Sequence, residues 1–387
     1  MNNNINDLDM PCTSCQMCAS VCPHNAISIR LNNYGFYEPN INNDLCINCG
    51  ICKKTCIKYD KLVKSDNNYD VYAFKHTSKN VLKNVSSGGA AFALAKLAAD
   101  NDYLIAGTIY DCKQNNAKMK ISNNANDFVG SKYIQTYVDN IYKKILNNVT
   151  QKYIVFGTPC QIYSLNKAAN YRGIRDNFIL VDFFCHGCPS MFLWNKYISE
   201  YKKTKGHEKI KKVEFRSKSK SWHEFCISIN DTCQKNSDAF YNLFFSDIIL
   251  NEACYNCNIR STLNYADIRI GDFWGKMYDG DADGVSAVIP ISDKGKNFIN
   301  FLPKKCIISK HNFDDIVKYQ AFNIHYQYNK ELRLKLINIL KTKYSIKEAL
   351  NIYYSNVSAK QNLKRFFKKI SLVIPFKVRA FIRKKLH

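Results

Sequence analysis

The chain has 387 residues, 46% hydrophobic and 23% charged, which excludes an intrinsically disordered protein and allows two or three domains with a sizeable core. Lys and Arg outnumber Asp and Glu by 56 to 32, and the net charge of +24 favours anionic partners: nucleic acid, acidic lipid, an acidic protein or phosphorylated substrates. No window approaches a run of apolar residues long enough to span a membrane, and MNNNINDLDMP lacks a basic region followed by an apolar one, so the cytoplasm is the expected compartment.

Seventeen cysteines in that compartment need a reason other than disulfides, because the cytosol keeps thiols reduced. Eight fall within the first 56 residues, and they repeat. Cys12-x2-Cys15-x2-Cys18-x3-Cys22, followed by Pro23, recurs as Cys46-x2-Cys49-x2-Cys52-x3-Cys56, followed by Ile57. A [4Fe–4S] cube takes four thiolates at the corners of a tetrahedron. Cysteines three apart on a tight loop supply three of them, and in two-cluster ferredoxins the last cysteine of each run crosses to the other cube. The spacing therefore predicts one cluster on Cys12, Cys15, Cys18 and Cys56, and a second on Cys46, Cys49, Cys52 and Cys22. Zinc also takes four thiolates, but its sites usually pair two CxxC units. Residues 1–60 thus read as a bacterial ferredoxin-like 2[4Fe–4S] domain, an electron relay.

KYDKLVKSDNNYD (58–70) reads as a polar linker. Beyond it, VYAFKH predicts a strand and SSGGAAFALAKLAAD a glycine turn opening a helix. YLIAGTIY, KYIVFGTP and FILVDFFCHG are short apolar runs typical of buried strands, and the alternation gives an α/β (α+β) body. Gly157 to Gln161 lie at the C-terminal end of one such strand, where α/β folds bind ligands. After about residue 310 the chain turns helical and basic. Ten Lys and Arg fall between Lys360 and Lys385, no acidic residue follows Glu348, and the rest of the chain still carries +14. The many Asn, Lys and Ile residues also suggest an AT-rich genome, a second source of that body charge. In the tail, Leu363, Phe366, Phe367, Ile370, Val373 and Ile374 share one helical face opposite Lys364, Arg365, Lys368 and Lys369. Such a helix either lies on an anionic membrane surface or docks on the protein's own core with its basic face in water.

Five stretches occur in order: SSGGAAFALAKL (86–97), GSKYIQT (130–136), GTPCQIYSL (157–165), DFFCHGCPS (182–190) and CYNCNIRSTLNYADIRIGDFWG (254–275). Together they resemble the coenzyme F-420 hydrogenase/dehydrogenase beta-subunit family over roughly 70–305, as an N-terminal region (70–150) and a C-terminal region (151–305), with a basic helical tail over 310–387. The resemblance implies a flavoprotein that passes electrons between iron–sulfur clusters and FAD, whose type members reduce or oxidise the deazaflavin coenzyme. On that reading Ser86, Ser87, Gly88 and Gly89 bring backbone N–H groups and a helix N-terminus to the FAD pyrophosphate; the alternative is a plain helix cap with Ser87 as the capping residue. Lys132 is either a cation near the flavin or a surface lysine. Gly157, Thr158 and Gln161 line the cofactor site, and Asp272 binds ribityl or ribose hydroxyls, with Trp274 packed over the site.

The same resemblance implies a third [4Fe–4S] cluster on Cys160, Cys185, Cys254 and Cys257, against a zinc site or unligated buried thiols. Cys188 stands where the family has an aliphatic residue, and is a bystander or another ligand. His186 reads as structural or as a proton donor, and Cys112, Cys226, Cys233 and Cys306 as ordinary residues. The expected function is an iron–sulfur flavoprotein oxidoreductase acting on coenzyme F-420 or on a sugar- or lipid-linked intermediate of a polysaccharide pathway, with the tail touching the inner membrane face. The alternative is a non-catalytic electron-transfer subunit feeding a partner enzyme. A redox partner protein is expected in either case, and nucleic acid is not, since no helix-turn-helix, zinc-finger or RNA-binding signature occurs.

Overall fold

The computed structural model describes residues 3–7, 10–65, 68–206, 209–235 and 237–358. The amphipathic basic helix expected around 363–374 lies outside the described residues. None of the helices that are described is long and apolar enough to cross a membrane.

The N-terminal region holds helix α1 (Met17–Val21), strands β1 (Ile27–Leu31) and β2 (Tyr37–Ile41), and helix α2 (Ile51–Lys54). β1 and β2 pair antiparallel, from Ile27 opposite Ile41 to Leu31 opposite Tyr37. The cysteine repeat is also a backbone repeat. Ser14 and Asn48 take φ of 60° and 56°, and Gln16 and Gly50 take 66° and 76°, so each run turns left-handed twice between its cysteines. Those turns are what gather thiols three residues apart onto one side.

The body follows as β3 (Asp70–Phe74), α3 (Lys79–Asn84), α4 (Ala90–Ala99), β4 (Leu104–Asp111), β5 (Asn116–Ser122), β6 (Thr136–Tyr137), α5 (Ile141–Asn147), β7 (Tyr153–Phe156) and α6 (Pro159–Tyr171). It continues through β8 (Phe178–Phe183), α7 (Met191–Thr204), β9 (Val213–Ser221), β10 (Glu224–Ile229), β11 (Thr232–Cys233) and α8 (Ser237–Phe244). It ends with β12 (Ile268–Asp272), β13 (Ser286–Pro290), α9 (Asp293–Ile299), β14 (Ile307–Asn312), α10 (Phe313–Val317), α11 (Lys330–Lys341) and α12 (Ile346–Ser355). Nine strands form one sheet in the order β14-β3-β13-β12-β8-β7-β4-β5-β6. β12, β8, β7 and β4 run parallel. β3 points the same way, because it and β12 both pair antiparallel with β13. Five parallel strands therefore end on one edge, a mixed α/β architecture whose ligand edge is defined by topology. β9, β10 and β11 form a separate antiparallel sheet.

The core explains how the N-terminal region is held. Met17, Val21 and Ile27 belong to the same apolar cluster as Tyr142, Ile145, Ile162, Leu165 and Ala169 from α5 and α6. Two buried glutamines add direction. Gln16 accepts from the Val138 N–H (2.9 Å) and donates to the Thr136 carbonyl (2.7 Å). Gln135 accepts from the Tyr37 N–H (3.1 Å) and donates to the Gly35 and Pro189 carbonyls (2.7 and 3.0 Å). The 58–70 segment is docked rather than free where it is described: Ser65 N–H meets the Ser261 carbonyl (3.1 Å), and Leu263 N–H meets Ser65 Oγ (2.6 Å).

Candidate functional site

In the N-terminal region the thiols sort across the two runs. Burial pushes Cys12 up to about 12, with the neighbouring Cys15 and Cys56 thiols adding to the shift. Cys18 is raised by burial, then by Cys15, Cys12 and Cys56. Cys56 is pushed up to about 12 by burial and by Cys15. Cys52 is raised by burial, and its thiol neighbours are Cys49 and Cys22. Cys22, Cys46, Cys49 and Cys52 line one recess with about 330 Å³ of empty space. Two groups result: Cys12, Cys15, Cys18 and Cys56 inside, and Cys22, Cys46, Cys49 and Cys52 toward the surface, where Cys49 is exposed. Donors point at the sulfurs: the Ser14 N–H at Cys12 Sγ (3.4 Å), the Ala26 N–H at Cys22 Sγ (3.3 Å), and Ser164 Oγ at Cys15 Sγ (3.4 Å).

A third group sits at the ends of the central strands. Cys160 opens α6 just beyond β7, Cys185 and Cys188 follow β8, and Cys254 and Cys257 sit beside the 3-10 turns Glu252–Cys254 and Asn258–Ser261. Cys254 is pushed up to about 12 by burial, then by Cys185 and Cys257. Cys185 is pushed up to about 11 by burial, against the opposing pull of the Arg260 guanidinium. Cys160 is raised by burial and then by Cys15, which makes it the thiol that joins the third group to the inner N-terminal one. Its sulfur lies 3.9 Å from the Thr13 carbonyl. Cys188 is a member of this neighbourhood, raised by burial and then by Cys254, Cys185 and Cys160.

Tyr142 lies between the groups: it is fully buried, its hydroxyl has no hydrogen-bond partner, and its interacting thiols are Cys15 and Cys160. Among the described residues no three His, Cys, Asp or Glu side chains form a single-ion site. Groups of four buried thiols facing backbone and hydroxyl donors fit iron–sulfur clusters, whose iron and sulfide would offset the thiolate charge that burial opposes.

Farther along the same edge stands the glycine turn. Gly89 (φ +90°) precedes α4, and a Cβ on Gly88 would come within 2.2 Å of the Phe74 carbonyl oxygen and 2.5 Å of the Ser286 nitrogen. The turn is thus pressed against β3 and β13, with Ser87 Oγ donating to the Val285 carbonyl (2.9 Å). Ser86 Oγ accepts from Ser131 N–H (2.7 Å), joining the SSGG and GSKY stretches. Lys132 Nζ donates to the Phe128 and Val129 carbonyls (3.2 and 3.0 Å), and burial pushes it down to about 7.

Asp272, at the end of β12, accepts from Arg216 Nη1 (2.6 Å) and Trp222 Nε1 (3.2 Å). Trp222 and Trp274 stack at 4.6 Å with a 6° tilt. Arg216 lies over Trp274, only 6% exposed, and its Nε and Nη2 have no hydrogen-bond partner. Burial opposes its charge, and the Asp272 carboxylate outweighs that penalty. Lys218 donates to the Ser87 carbonyl (3.1 Å) and is pushed down to about 8 by burial and by Arg216. Thr158 and Gln161 form a reciprocal capping box at the start of α6, and Thr158 Oγ1 is 3.2 Å from Cys160 Sγ, so Gly157, Thr158 and Gln161 stand nearer the thiols than the glycine turn.

Several working residues carried no sequence signal. Gln16, Gln135 and Arg216 are polar residues whose burial is a tertiary fact. Arg260 donates to the Cys185 and His186 carbonyls (3.1 and 2.9 Å), holding the β8 loop, and buried Arg269 pairs with buried Asp182 (2.6 Å) beneath it. His186 meets Asp247 (2.5 Å) and Tyr326 (3.3 Å). Cys226 and Cys233, expected as ordinary residues, form a disulfide. The β10–β11 hairpin sets Ser228 opposite Cys233 and brings the two Cα atoms to 5.8 Å.

Thiol groups packed into the strand ends of an α/β sheet define an iron–sulfur electron-transfer protein. Residues 11–58 match the 4Fe-4S dicluster domain, and residues 150–316 match the family described as the C terminus of the coenzyme F420 hydrogenase/dehydrogenase beta subunit. The coenzyme F420 hydrogenase subunit beta of Methanococcus voltae is 23% identical over 256 residues, covering 62% of this chain and 83% of that protein. A chain of the F420-reducing [NiFe] hydrogenase complex from Methanosarcina barkeri is similar over 76% of this chain and 94% of its own length, at 17% identity and a TM-score of 0.45. The protein is a homologue in that beta-subunit family, with a 4Fe–4S dicluster domain at its N-terminus.

Proposed function

We propose that this chain is a flavin-dependent iron–sulfur reductase. Cys12, Cys15, Cys18 and Cys56 would hold one cluster and Cys22, Cys46, Cys49 and Cys52 a second. Cys160, Cys185, Cys254 and Cys257 would hold a third, and FAD would lie against Ser86–Gly89 and Asp272. One observation carries the reading: the strand order sets the glycine turn (β3, β13), Asp272 (β12), Cys185 (β8) and Cys160 (β7) in a row along one edge, with Cys15 next to Cys160. When bound, FAD couples the one-electron carriage of such clusters to two-electron chemistry.

The chain's own residues have separable tasks. Gly88 lets the turn pack against the sheet, Lys218 and Arg216 set positive charge beside it, and Arg216 offers two unpaired N–H donors to an anionic or carbonyl-rich ligand. Arg260 holds the Cys185 loop and partly neutralises the thiolate group. The acceptor proposed is coenzyme F-420 or a sugar- or lipid-linked intermediate. The Methanococcus voltae relative is named as a hydrogenase subunit, which favours a second reading in which the chain passes electrons only to a partner enzyme. Anaerobic reconstitution with iron, sulfide and flavin counted per chain tests the proposal. About twelve irons and one FAD support it, whereas about eight irons and no flavin overturn the flavoenzyme reading.

A further inference from the structure

We propose that the face around Cys49 and α2 is the docking surface for an acidic one-electron carrier protein of the ferredoxin or flavodoxin kind. The inference rests on the reading that the dicluster domain holds its clusters. The outer thiol group reaches the surface at Cys49, and the loop around it presents two large apolar side chains, Leu45 (49% exposed) and Ile47 (61% exposed). Immediately beside them is a basic rim. Lys53 and Lys54 end α2, their ammonium groups 5.0 and 5.2 Å from the Tyr59 and Tyr171 ring centres. Lys58 lies close enough to Cys56 to pull its thiol back down, as does Lys167.

Gly50, Lys53, Lys54, Tyr59, Asp60 and Lys167 line a recess of about 350 Å³ that adjoins the outer thiol recess. Across residues 42–64 five lysines face only two aspartates, and one of these, Asp60, is already held by Lys167 at 2.6 Å. An apolar centre a few side chains wide with a charged rim is the build of a transient redox contact, in which opposite charge sets encounter rate rather than lasting affinity. Lysines on this side select a negatively charged partner, and the sulfur-lined recess behind Cys49 selects one that exchanges an electron rather than a group. In the exchange the carrier loses one electron and the dicluster domain gains it, with no bond made or broken.

The test uses the full reconstituted chain under anaerobic conditions. The rate at which reduced flavodoxin bleaches the cluster absorbance is followed in rapid mixing, beside the rate with a neutral, photoreduced deazaflavin. For the wild type the flavodoxin rate should fall steeply with added salt while the deazaflavin rate stays flat. Lys53→Glu with Lys54→Glu should slow flavodoxin about tenfold or more at low salt and leave the deazaflavin rate unchanged. Lys58→Glu, outside α2, repeats the test should the double variant lose iron. Wild-type flavodoxin rates that ignore salt, or charge-reversed chains reduced at the wild-type rate, overturn the docking surface. Failure of the neutral donor to bleach the wild type would instead sink the cluster reading beneath it.

Discussion

Replacing Gln135 by leucine keeps the volume at the joint between the N-terminal hairpin and the β8 loop while deleting every polar contact the side chain makes. Gln135 is 3% exposed and serves three backbone groups: the Tyr37 N–H, the Gly35 carbonyl and the Pro189 carbonyl. The Gly35 carbonyl keeps a bond from the Met191 N–H (2.9 Å), so two groups lose this partner without replacement. At about 1–3 kcal/mol for each buried group left unsatisfied, the cost is about 2–5 kcal/mol, from which added apolar burial returns at most about 1 kcal/mol. The loss falls where β2 meets residues 186–190, so the dicluster region should loosen before the body. Urea titration of the reconstituted protein checks this with two probes, cluster absorbance and the fluorescence of Trp194, Trp222 and Trp274. The variant should lose its cluster absorbance at clearly lower urea, ahead of the fluorescence change. Gln135→Glu, which keeps the acceptor but sets a carboxylate against two carbonyls, should be no better. Coincident, unshifted transitions in the leucine variant would refute the assignment of Gln135 as the clamp.

Three further outcomes follow from the site. Cys22→Ser should remove the surface cluster and Cys56→Ser the inner one, so each lesion appears in the group opposite its own run; iron counts with paramagnetic resonance of the reduced protein distinguish this from loss within the run. Ser164→Ala deletes the hydroxyl donor at Cys15 Sγ and should make the inner cluster's midpoint potential more negative, because donors to sulfur favour the reduced, more negative cluster. Lys218 is held down to about 8 by burial and by Arg216, so it is cationic below that pH and neutral above it. A bound phosphate favours the cation, and FAD affinity should therefore be level below pH 8 and fall as pH rises above it, with Lys218→Met weaker and level throughout; binding titrations across that range decide it.

The cysteine repeat was the most legible part of the chain because metal-ligand spacing is local: three residues of sequence become one turn of loop, as the matched left-handed residues Ser14, Asn48, Gln16 and Gly50 show. The buried strands were legible for a similar reason, and VYAFKH, YLIAGTIY, KYIVFGTP and FILVDFFCHG appear as β3, β4, β7 and β8. What stayed hidden depends on contacts between distant positions. Nothing in the local sequence marks Gln16 as bonded to residues 120 and 122 positions away, or Arg216 as the partner of Asp272. The Cys226–Cys233 disulfide was hidden too, because compartment argued against it and only the hairpin register brings the pair together.

The segment at 58–70 read as a tether, and a tether would let the dicluster region range over many distances from the body. The packing removes that freedom. Met17 and Val21 share a core with Tyr142, Ile162 and Leu165, Asn251 donates to Ser14 Oγ (2.9 Å), and Cys160 faces Cys15 across the join. Electron exchange falls steeply with separation, so a fixed join makes the inner step independent of domain motion and leaves the outer face as the place where encounter is controlled. A chain built this way concentrates its partner selection on the surface around Cys49, where the apolar loop and the lysine rim lie side by side.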